Sequence, residues 1–318
     1  GFGSGKTTAV DSKGNVDGGD GGDAVGAFTD VKNFSDTKGV TVASWEGAYI
    51  ESQKLGYGNP TSRKLGIPIN WVDYTDDTGG FQQIKQQKKL DKITWDIMDV
   101  YERDTSYGCE QDIFHEFDFD RDFPPAPDGT PASEDFFTRM PNKCAVGNIL
   151  YSWNFAYNKY MVGKNEPKTI QDFFNTRKFP GKRAIYKGAK GNLEIAISAD
   201  GVNPGKGGTF TYKKFEEYGG IDRAIKKIQT NGEVVMATGW NSRFFNGQME
   251  GSPIVQVWDS QIIDYEYFAL VKDGPAYKNG DSLKVLAEMT STEMLAGSAK
   301  YIPFSPWRKS SIKYIAEQ

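Results

Sequence analysis

The segment at residues 40–49 has the sequence VTVASWEGAY, an apolar strand pattern that runs directly into a glycine turn and an aromatic side chain. A helix is predicted to follow over residues 49–65, ended by Gly66, and a second strand over residues 68–72. After a polar helix pattern, a third strand is predicted over residues 95–100. This alternation of strands and helices is typical of an α/β lobe with a parallel sheet.

A second alternation of strands and helices lies beyond residue 168, and an apolar segment before it predicts a long strand that leaves the first lobe. The further predicted elements are, in chain order, the long strand at 145–157, a helix at 169–174, a strand at 182–186, helices at 193–199 and 221–228, strands at 233–238, 254–258 and 265–271, and a closing helix at 283–289. The chain is therefore predicted to build two lobes, crossing from the first to the second and back. Ligands of such α/β folds bind where strand ends meet, which here lies between the lobes.

The predicted organisation is a Gly/Asp-rich leader followed by the two lobes. The leader, residues 1–38, is too poor in apolar side chains to build a core. Its GSGKTT sequence resembles a phosphate-binding loop but lacks the strand before it and the helix after it that such a loop needs. Its GGDGGDAV sequence resembles one calcium-binding repeat, but that architecture stacks many copies and this chain has one. The expected boundaries are 1–38 for the leader, 39–150 for the first part of lobe 1, 151–262 for the crossover and lobe 2, 263–300 for the return to lobe 1, and 301–318 for a C-terminal segment near the hinge.

Composition favours a binding protein over an enzyme. The 318 residues carry 38 Lys and Arg against 42 Asp and Glu, a net charge of −4, and this acidic balance disfavours nucleic acid as a partner. One histidine, His115, leaves little for histidine catalysis or a multi-histidine metal site, and no GxSxG or HExxH motif is present. We therefore expect no catalytic residue, no metal and no cofactor. No stretch approaches the roughly 20 consecutive apolar residues that span a bilayer.

The chain has two cysteines, Cys109 and Cys144, with neither a CxxC spacing nor companion histidines for a zinc site. Such a pair fits a disulfide made in an oxidising compartment, and two buried unpaired thiols in a cytosolic protein are the alternative. The chain opens without the charged and apolar segments of a signal peptide, so any such peptide is expected to have been removed.

The segment at residues 40–49 resembles the extracellular solute-binding proteins of bacterial ABC importers, in particular the spermidine/putrescine-binding branch. The resemblance spans residues 39–305 and rests further on WDIMDV at residues 95–100, FPGKR at 179–183, GAKGNLEIA at 188–196 and NGEVVM at 231–236. It implies an α/β fold of the two-lobed periplasmic binding protein kind (type II-like), each lobe a mainly parallel sheet flanked by helices. It also implies that Cys109 and Cys144 are paired, as in some relatives.

The resemblance implies a receptor that captures a small-molecule solute by hinge closure and delivers it to an ABC permease in the inner membrane. A periplasmic monomer is expected, with the leader as a tether to the membrane. Compared with the family pattern, a segment is expected to be missing between Ile228 and Gln229, and the chain stops soon after Tyr314, where relatives carry further helix.

The ligand site that the resemblance implies combines aromatic faces with carboxylates, the groups that bind an organic cation. The residues at the matched positions are Trp45, Tyr49, Tyr101, Glu102, Glu194, Trp240, Asn241, Tyr265, Tyr267 and Tyr301. Polyamine-binding relatives carry acidic residues at the positions of Gly188, Gly191 and Tyr267, which weakens the case for a polyamine. The carboxylates that could compensate are Glu102, Asp104 and Glu194, and each could equally be a solvated surface charge.

The same region also supports a ligand of opposite charge. Lys187, Lys190 and the backbone N–H groups around Gly191 would form a positive helix start suited to a carboxylate or phosphonate, and Arg243 could add a bidentate partner. A zwitterion satisfies both sets. The sequence therefore leaves open an organic amine or polyamine-like solute, a zwitterionic or anionic solute such as an amino-acid derivative, betaine or aminophosphonate, and, outside the receptors, a structural or adhesive surface protein.

Overall fold

The computed structural model describes residues 39–74, 80–185, 189–203 and 235–316. The predicted leader at residues 1–38 with its two motifs, the predicted helix at 221–228, and Lys187 and Gly188 lie outside the described residues. Within the described ranges, no helix combines the length and the apolar composition needed to cross a bilayer.

The described chain alternates strands with helices, as the sequence predicts. The strands are β1 (Val40–Ser44), β2 (Ile69–Asp73), β3 (Ile97–Val100), β4 (Val146–Asn158), β5 (Arg183–Ala184), β6 (Met236–Trp240), β7 (Ile254–Leu270) and β8 (Ser305–Pro306). The α-helices are α1 (Ala48–Gln53), α2 (Asn59–Leu65), α3 (Phe81–Lys89), α4 (Glu102–Glu110), α5 (Phe119–Asp122), α6 (Ala132–Asp135), α7 (Ile170–Phe174), α8 (Asn192–Ala199), α9 (Asn241–Met249), α10 (Asp281–Met289), α11 (Thr292–Ala296) and α12 (Ile312–Ala316). A π-helical turn at Lys54–Gly58 joins α1 to α2, and 3-10 turns occupy Gly297–Lys300 and Lys309–Ser311.

The first lobe begins as predicted. Strands β2, β1 and β3 lie side by side and parallel. The predicted helix over residues 49–65 is helical throughout as α1, the π turn and α2. It ends at Gly66, whose φ of 68° lies in the left-handed region that glycine adopts without a side-chain clash.

The sheet is continuous through both lobes. Its strand order is β2-β1-β3-β7-β4-β6-β5, and β8 pairs with β4. Strand β7 is antiparallel to β3 and β4, and β4 is antiparallel to β6. The predicted crossing segments thus lie at the centre of one mixed sheet, with the parallel pairs towards its two edges.

One expectation about strands was wrong. The sequence predicts separate strands at 254–258 and 265–271, whereas β7 runs unbroken over Ile254–Leu270. Strand β4 pairs with both parts of β7, from Asn158 opposite Ile254 to Phe155 opposite Val257 and again from Trp153 opposite Ile262 to Val146 opposite Phe268, and residues 258–261 lie outside this pairing. A register shift between Trp153 and Phe155 accommodates the polar residues that separate the two apolar runs.

Two hydrophobic cores flank the central strands. The larger one packs β1, β3 and the first-lobe end of β7 against α3 and α10, and it includes the fully buried Trp307. The smaller one packs the far end of β4 against α7, α8 and β6, with Phe155 and Phe173 fully buried. A separate apolar group formed by Ile149, Tyr151, Trp153, Ile302 and Phe304 lies on the middle of β4, between the two cores along the strand.

The structure contains the disulfide between Cys109 in α4 and Cys144 directly before β4, with a Cα–Cα distance of 5.7 Å. The bond closes a loop with a sequence separation of 35 residues. By loop-closure entropy, we expect the variant Cys109→Ala/Cys144→Ala to lose about 3–4 kcal/mol of unfolding free energy.

Denaturant unfolding of the wild type, with and without reductant, and of the variant would measure this loss. Reduction should shift the wild-type midpoint and leave the variant's midpoint in place. Equal midpoints for oxidised and reduced wild type would contradict the prediction.

Candidate functional site

A cavity of about 320 Å³ lies where β1, β3 and β6 end. Trp45 follows β1 directly, Tyr101 follows β3, and Trp240 is the last residue of β6. Since an open α/β sheet exposes its strand ends to ligands, these side chains are positioned by the sheet itself. Tyr49 from α1, Tyr151 from β4 and Phe304 complete an aromatic lining.

The aromatic rings that line the cavity are held by other rings. Trp45 contacts Tyr101 with a centroid distance of 4.8 Å, and Tyr49 meets Phe304 edge-on at 5.5 Å. Trp240 packs on the buried Trp153 at 4.7 Å. Rings packed in this way keep their orientation without a ligand, so the aromatic faces are available at little conformational cost.

Glu266 is the buried acid of the cavity. It lies on β7 opposite Ile149 of β4 and is 5% exposed. Its Oε2 atom is buried and has no hydrogen-bond partner among the described residues. Burial, and next the charge of nearby Asp99, raise the pKa of Glu266 well above its usual range. A cationic group that enters the cavity would stabilise the ionised Glu266 carboxylate, offsetting both the cost of its burial and its repulsion by Asp99.

Asp99 lies behind the cavity wall on β3 and is fully buried. Its Oδ2 atom accepts hydrogen bonds from the Tyr49 hydroxyl at 2.7 Å, the Gln53 amide at 2.5 Å and the Asn148 amide at 3.0 Å. Burial raises the pKa of Asp99 to about 7, although these hydrogen bonds act against it. The carboxyl group therefore lies one hydrogen bond away from the cavity lining, through Tyr49.

Arg243 supplies a positive group to the lining of the same cavity. It lies in the first turn of α9, a helix whose N-terminal end follows β6 at Trp240. Its side chain is exposed and makes no ion pair with any described residue. The helix N-terminus and the guanidinium together favour an anionic group, because exposed N–H groups and a planar cationic fork both donate to carboxylate oxygens.

The structure brings four of the predicted ligand-binding residues together in the cavity lining: Trp45, Tyr49, Tyr101 and Trp240. Asn241 is buried beneath it, where its Oδ1 accepts from the Ser152 N–H at 3.2 Å and its Nδ2 donates to the Pro303 carbonyl at 2.8 Å. Tyr301 is half exposed and is not among the lining residues.

The tyrosines predicted on the returning strand lie on its other face. Tyr265 and Tyr267 both pack on Trp307, each with a centroid distance of 4.6 Å. Successive strand residues point to opposite faces, so Glu266, which lies between them, faces the cavity instead. The Tyr267 hydroxyl donates to the predicted Glu102 at 3.3 Å, outside the cavity.

Of the other predicted charges, Lys190 and Asp104 have charged partners of their own, and Glu194 has a buried Oε2 atom without a hydrogen-bond partner among the described residues. Lys190 forms an ion pair with Asp264, which also accepts from the Tyr151 hydroxyl at 2.7 Å. The Lys190 ammonium lies 4.7 Å from the centroid of the Tyr101 ring. Glu194 is in the first turn of α8, where burial raises its pKa. Asp104 is buried beside Arg103, at 3.3 Å.

Gly191 shows why an acidic side chain is absent at that position. Its φ is 79°, and a Cβ atom built there would come within 2.9 Å of the Trp153 ring. Because Trp153 supports Trp240, a larger residue would disturb the aromatic lining. Among the described residues, no cluster of three or more His, Cys, Asp or Glu side chains is arranged to hold a metal ion.

Nine lining residues were missed by the sequence reasoning: Glu46, Ala48, Ile149, Tyr151, Ser242, Asn246, Glu266, Ile302 and Phe304. Of the two carboxylates among them, Glu46 is exposed and Glu266 is buried. Glu266 alternates with the two predicted tyrosines, but the alternation alone does not show which face of β7 meets the cavity, because both faces are covered. Phe304 carried no signal, since it reaches the cavity from a loop near the C-terminal end of the described chain.

Comparison with known proteins assigns the family. Residues 60–317 match the model of the bacterial extracellular solute-binding proteins. A gamma-aminobutyric acid-binding protein of Pseudomonas aeruginosa is 28% identical over 295 residues, which cover 87% of this chain and 79% of that protein.

Solved structures agree on the fold. An ABC transporter substrate-binding protein from Bradyrhizobium japonicum superimposes with a TM-score of 0.73 at 24% identity, over 86% of this chain and 84% of the other. The Atu4243-GABA receptor superimposes with a TM-score of 0.71 at 23% identity, over 87% of this chain and 85% of the other. The two-lobed periplasmic binding protein fold implied by the sequence motifs is thus confirmed. With a family model that matches most of its length, the chain belongs to the bacterial extracellular solute-binding proteins.

Proposed function

We propose that this receptor binds a short ω-amino acid, of which 4-aminobutanoate (GABA) is the representative. The observation that carries the proposal is the pairing of opposite charges in one small cavity, with Glu266 buried in it and Arg243 at the start of α9. A ligand with an ammonium at one end and a carboxylate at the other satisfies both residues.

The cavity dimensions favour a compact ligand. A volume of about 320 Å³ is at the small end for ligand sites. The aromatic lining offers ring faces to a cation, each contact being worth about 0.5–2 kcal/mol. The methylene groups of an ω-amino acid would pack against Ile302 and Phe304 between the charged ends. The similarity to a protein named for GABA binding supports the same class of ligand.

The polyamine alternative is less favourable. A polyamine carries ammonium groups along its whole length, so one of them would meet the Arg243 guanidinium in this cavity. A carboxylate side chain at the position of Gly191, which a polyamine site of the family pattern would use, would clash with the Trp153 ring. We therefore favour the zwitterionic alternative over the amine-only one.

The remaining parts of the proposal concern the protein's working cycle. Lobe 1 comprises residues 39–150 and 263–300, lobe 2 comprises residues 151–262, and the segment 301–318 lies near the hinge. Ligand capture closes the lobes, and the closed monomer delivers its solute to an inner-membrane permease from the periplasm, tethered through the leader. The ligand is released chemically unchanged.

A thermal-shift panel on dialysed protein tests the ligand class. We expect GABA to raise the melting temperature, because a ligand at 100 times its Kd adds about 2.7 kcal/mol to the unfolding free energy. Butanoate and butylamine, which each carry one of the two charged ends, should act only at much higher concentration. Spermidine, glycine betaine and an aminophosphonate complete the panel. A larger shift with spermidine than with GABA, or no shift with any compound, would contradict the proposal.

A further inference from the structure

The Asp99 carboxyl group is the acceptor in each of its hydrogen bonds with the described side chains. Asp99 Oδ2 accepts from Tyr49, Gln53 and Asn148 at 2.5–3.0 Å. Its second oxygen, Oδ1, is buried and has no hydrogen-bond partner among the described residues. The carboxyl group on β3 is therefore the acceptor at the centre of this network, and it binds donors from α1 and β4.

The two amides in the network cannot turn around. The Ser44 hydroxyl lies 2.6 Å from Gln53 Oε1 and 3.3 Å from Asp99 Oδ2, and its one proton is donated to the nearer Gln53 oxygen, which leaves Gln53 Nε2 facing Asp99. Tyr57 donates to Asn148 Oδ1 at 3.2 Å, which leaves Asn148 Nδ2 facing Asp99 in the same way. Each amide oxygen is occupied by a separate donor, so both N–H groups are committed to the carboxyl side.

This arrangement decides what the Tyr49 hydroxyl can offer a ligand. A hydroxyl has one proton to donate and two lone pairs to accept with. The proton is donated to Asp99 at 2.7 Å, and one lone pair accepts from Asn148 Nδ2 at 3.0 Å. Burial and the neighbouring Asp99 hold the pKa of Tyr49 well above its usual range, so the hydroxyl keeps its proton. What remains at this cavity-lining residue is one acceptor position and no donor.

We propose that Asp99 and Asn148 are positioning residues that make the Tyr49 hydroxyl a pure acceptor towards the cavity, so that this end selects an ammonium group. The inference rests on the proposed function and extends it, because it assigns the ammonium end of the ligand to Tyr49 and Glu266 and the carboxylate end to Arg243. A carboxylate placed at Tyr49 would meet only acceptors, whereas an ammonium finds an acceptor there and a carboxyl group in Glu266.

The test compares two ligands that differ only at this end, GABA and butanoate. The ratio of their affinities reports the contribution of the ammonium group, and a general loss of structure lowers both affinities without changing the ratio. In Asp99→Asn, the new amide can donate an N–H hydrogen bond to the Tyr49 hydroxyl. The hydroxyl then no longer has to donate its proton to residue 99. We expect the GABA/butanoate ratio, measured by calorimetric competition, to fall about tenfold, the effect of one hydrogen bond to a charged group.

Two further variants make the test specific. Tyr49→Phe keeps the ring that packs on Phe304 and should lower the ratio by a similar factor, and Asp99→Asn added to it should lower the ratio no further. Asp96→Asn is the matched control. Asp96 is equally buried, does not line the cavity, and among the described residues its side chain accepts only from the backbone N–H groups of Thr41 and Ala276. This variant should lower the melting temperature and leave the ratio unchanged.

The outcomes separate this inference from the proposed function. A wild type that binds GABA no better than butanoate overturns both. The positioning role alone is overturned in two cases in which the wild type still prefers GABA. In the first, Asp99→Asn keeps the full GABA/butanoate ratio. In the second, Asp96→Asn lowers this ratio as much as Asp99→Asn does.

Discussion

The variant Arg243→Ala is expected to bind GABA about 100-fold more weakly than the wild type. The guanidinium is the positive side chain that lines the cavity, and losing charge-assisted hydrogen bonds to a carboxylate costs about 1.5–3 kcal/mol. Because Arg243 is exposed and forms no ion pair with a described residue, the unfolding free energy should change by less than about 0.5 kcal/mol. Isothermal titration calorimetry measures the affinity, and thermal melting measures the stability.

Two comparisons make the result interpretable. Arg243→Lys keeps the positive charge but not the planar guanidinium, so its affinity for GABA should fall about tenfold, less than that of the alanine variant. Arg139→Ala, an exposed arginine that does not line this cavity, should bind GABA as the wild type does. Affinity within threefold of wild type in Arg243→Ala would show that the carboxylate end of the ligand is bound elsewhere.

The variant Glu266→Gln is expected to weaken GABA binding about 100-fold and at the same time to stabilise the ligand-free protein at alkaline pH. The affinity falls because the ammonium loses its buried counter-charge. The stability rises because the amide cannot ionise in an environment that penalises the ionised carboxylate. A gain of a few degrees in melting temperature at pH 8, with loss of the ligand-induced shift, would show both effects.

The pH dependence follows from the direction of the shift. The folded protein holds Glu266 at a pKa well above its usual range, so between pH 4.5 and the folded pKa it binds more protons than the unfolded chain. The stabilising contribution is complete below the unfolded pKa and is lost as the pH rises through the folded one. An ammonium favours the ionised carboxylate, so ligand binding should release a proton and the affinity should rise with pH.

Glu293→Gln is the control for the pH series, because Glu293 is exposed. Its melting curve and its affinity for GABA should follow those of the wild type at each pH. If the wild-type affinity were independent of pH from 5 to 8, or if Glu266→Gln bound GABA normally, the buried carboxyl would have no part in recognition.

Much of the fold was predictable because it is encoded locally. The apolar run of β1, the glycine that ends α2 and the periodic apolar residues of α10 each specify an element within a short window. The aromatic residues at the ends of β1, β3 and β6 were identified through the family resemblance, and their position agrees with the rule that strand ends mark the ligand side of an α/β sheet. The cysteine pair was recognisable through the family resemblance and is bonded in the structure.

The merging of two predicted strands into β7 was not predictable in this way. The separation came from polar residues between two apolar runs, and the pairing with β4 skips residues 258–261 and resumes where Phe155 lies opposite Val257. Pairing of this kind is a long-range contact, so a short sequence window contains no record of it.

The sequence by itself determined the alternation of strands and helices and the two lobes, because hydrophobic periodicity and turn residues act over neighbouring positions. The aromatic residues of the site came from the family resemblance of its motifs. The tertiary structure decided that Glu266 rather than Tyr265 or Tyr267 faces the cavity, and that Asp99 is placed behind Tyr49. Strand β7 is covered on both faces near Glu266, so its alternation does not mark which face meets the ligand. The charges of the site therefore acquire their roles only when β3, β4 and β7 lie side by side.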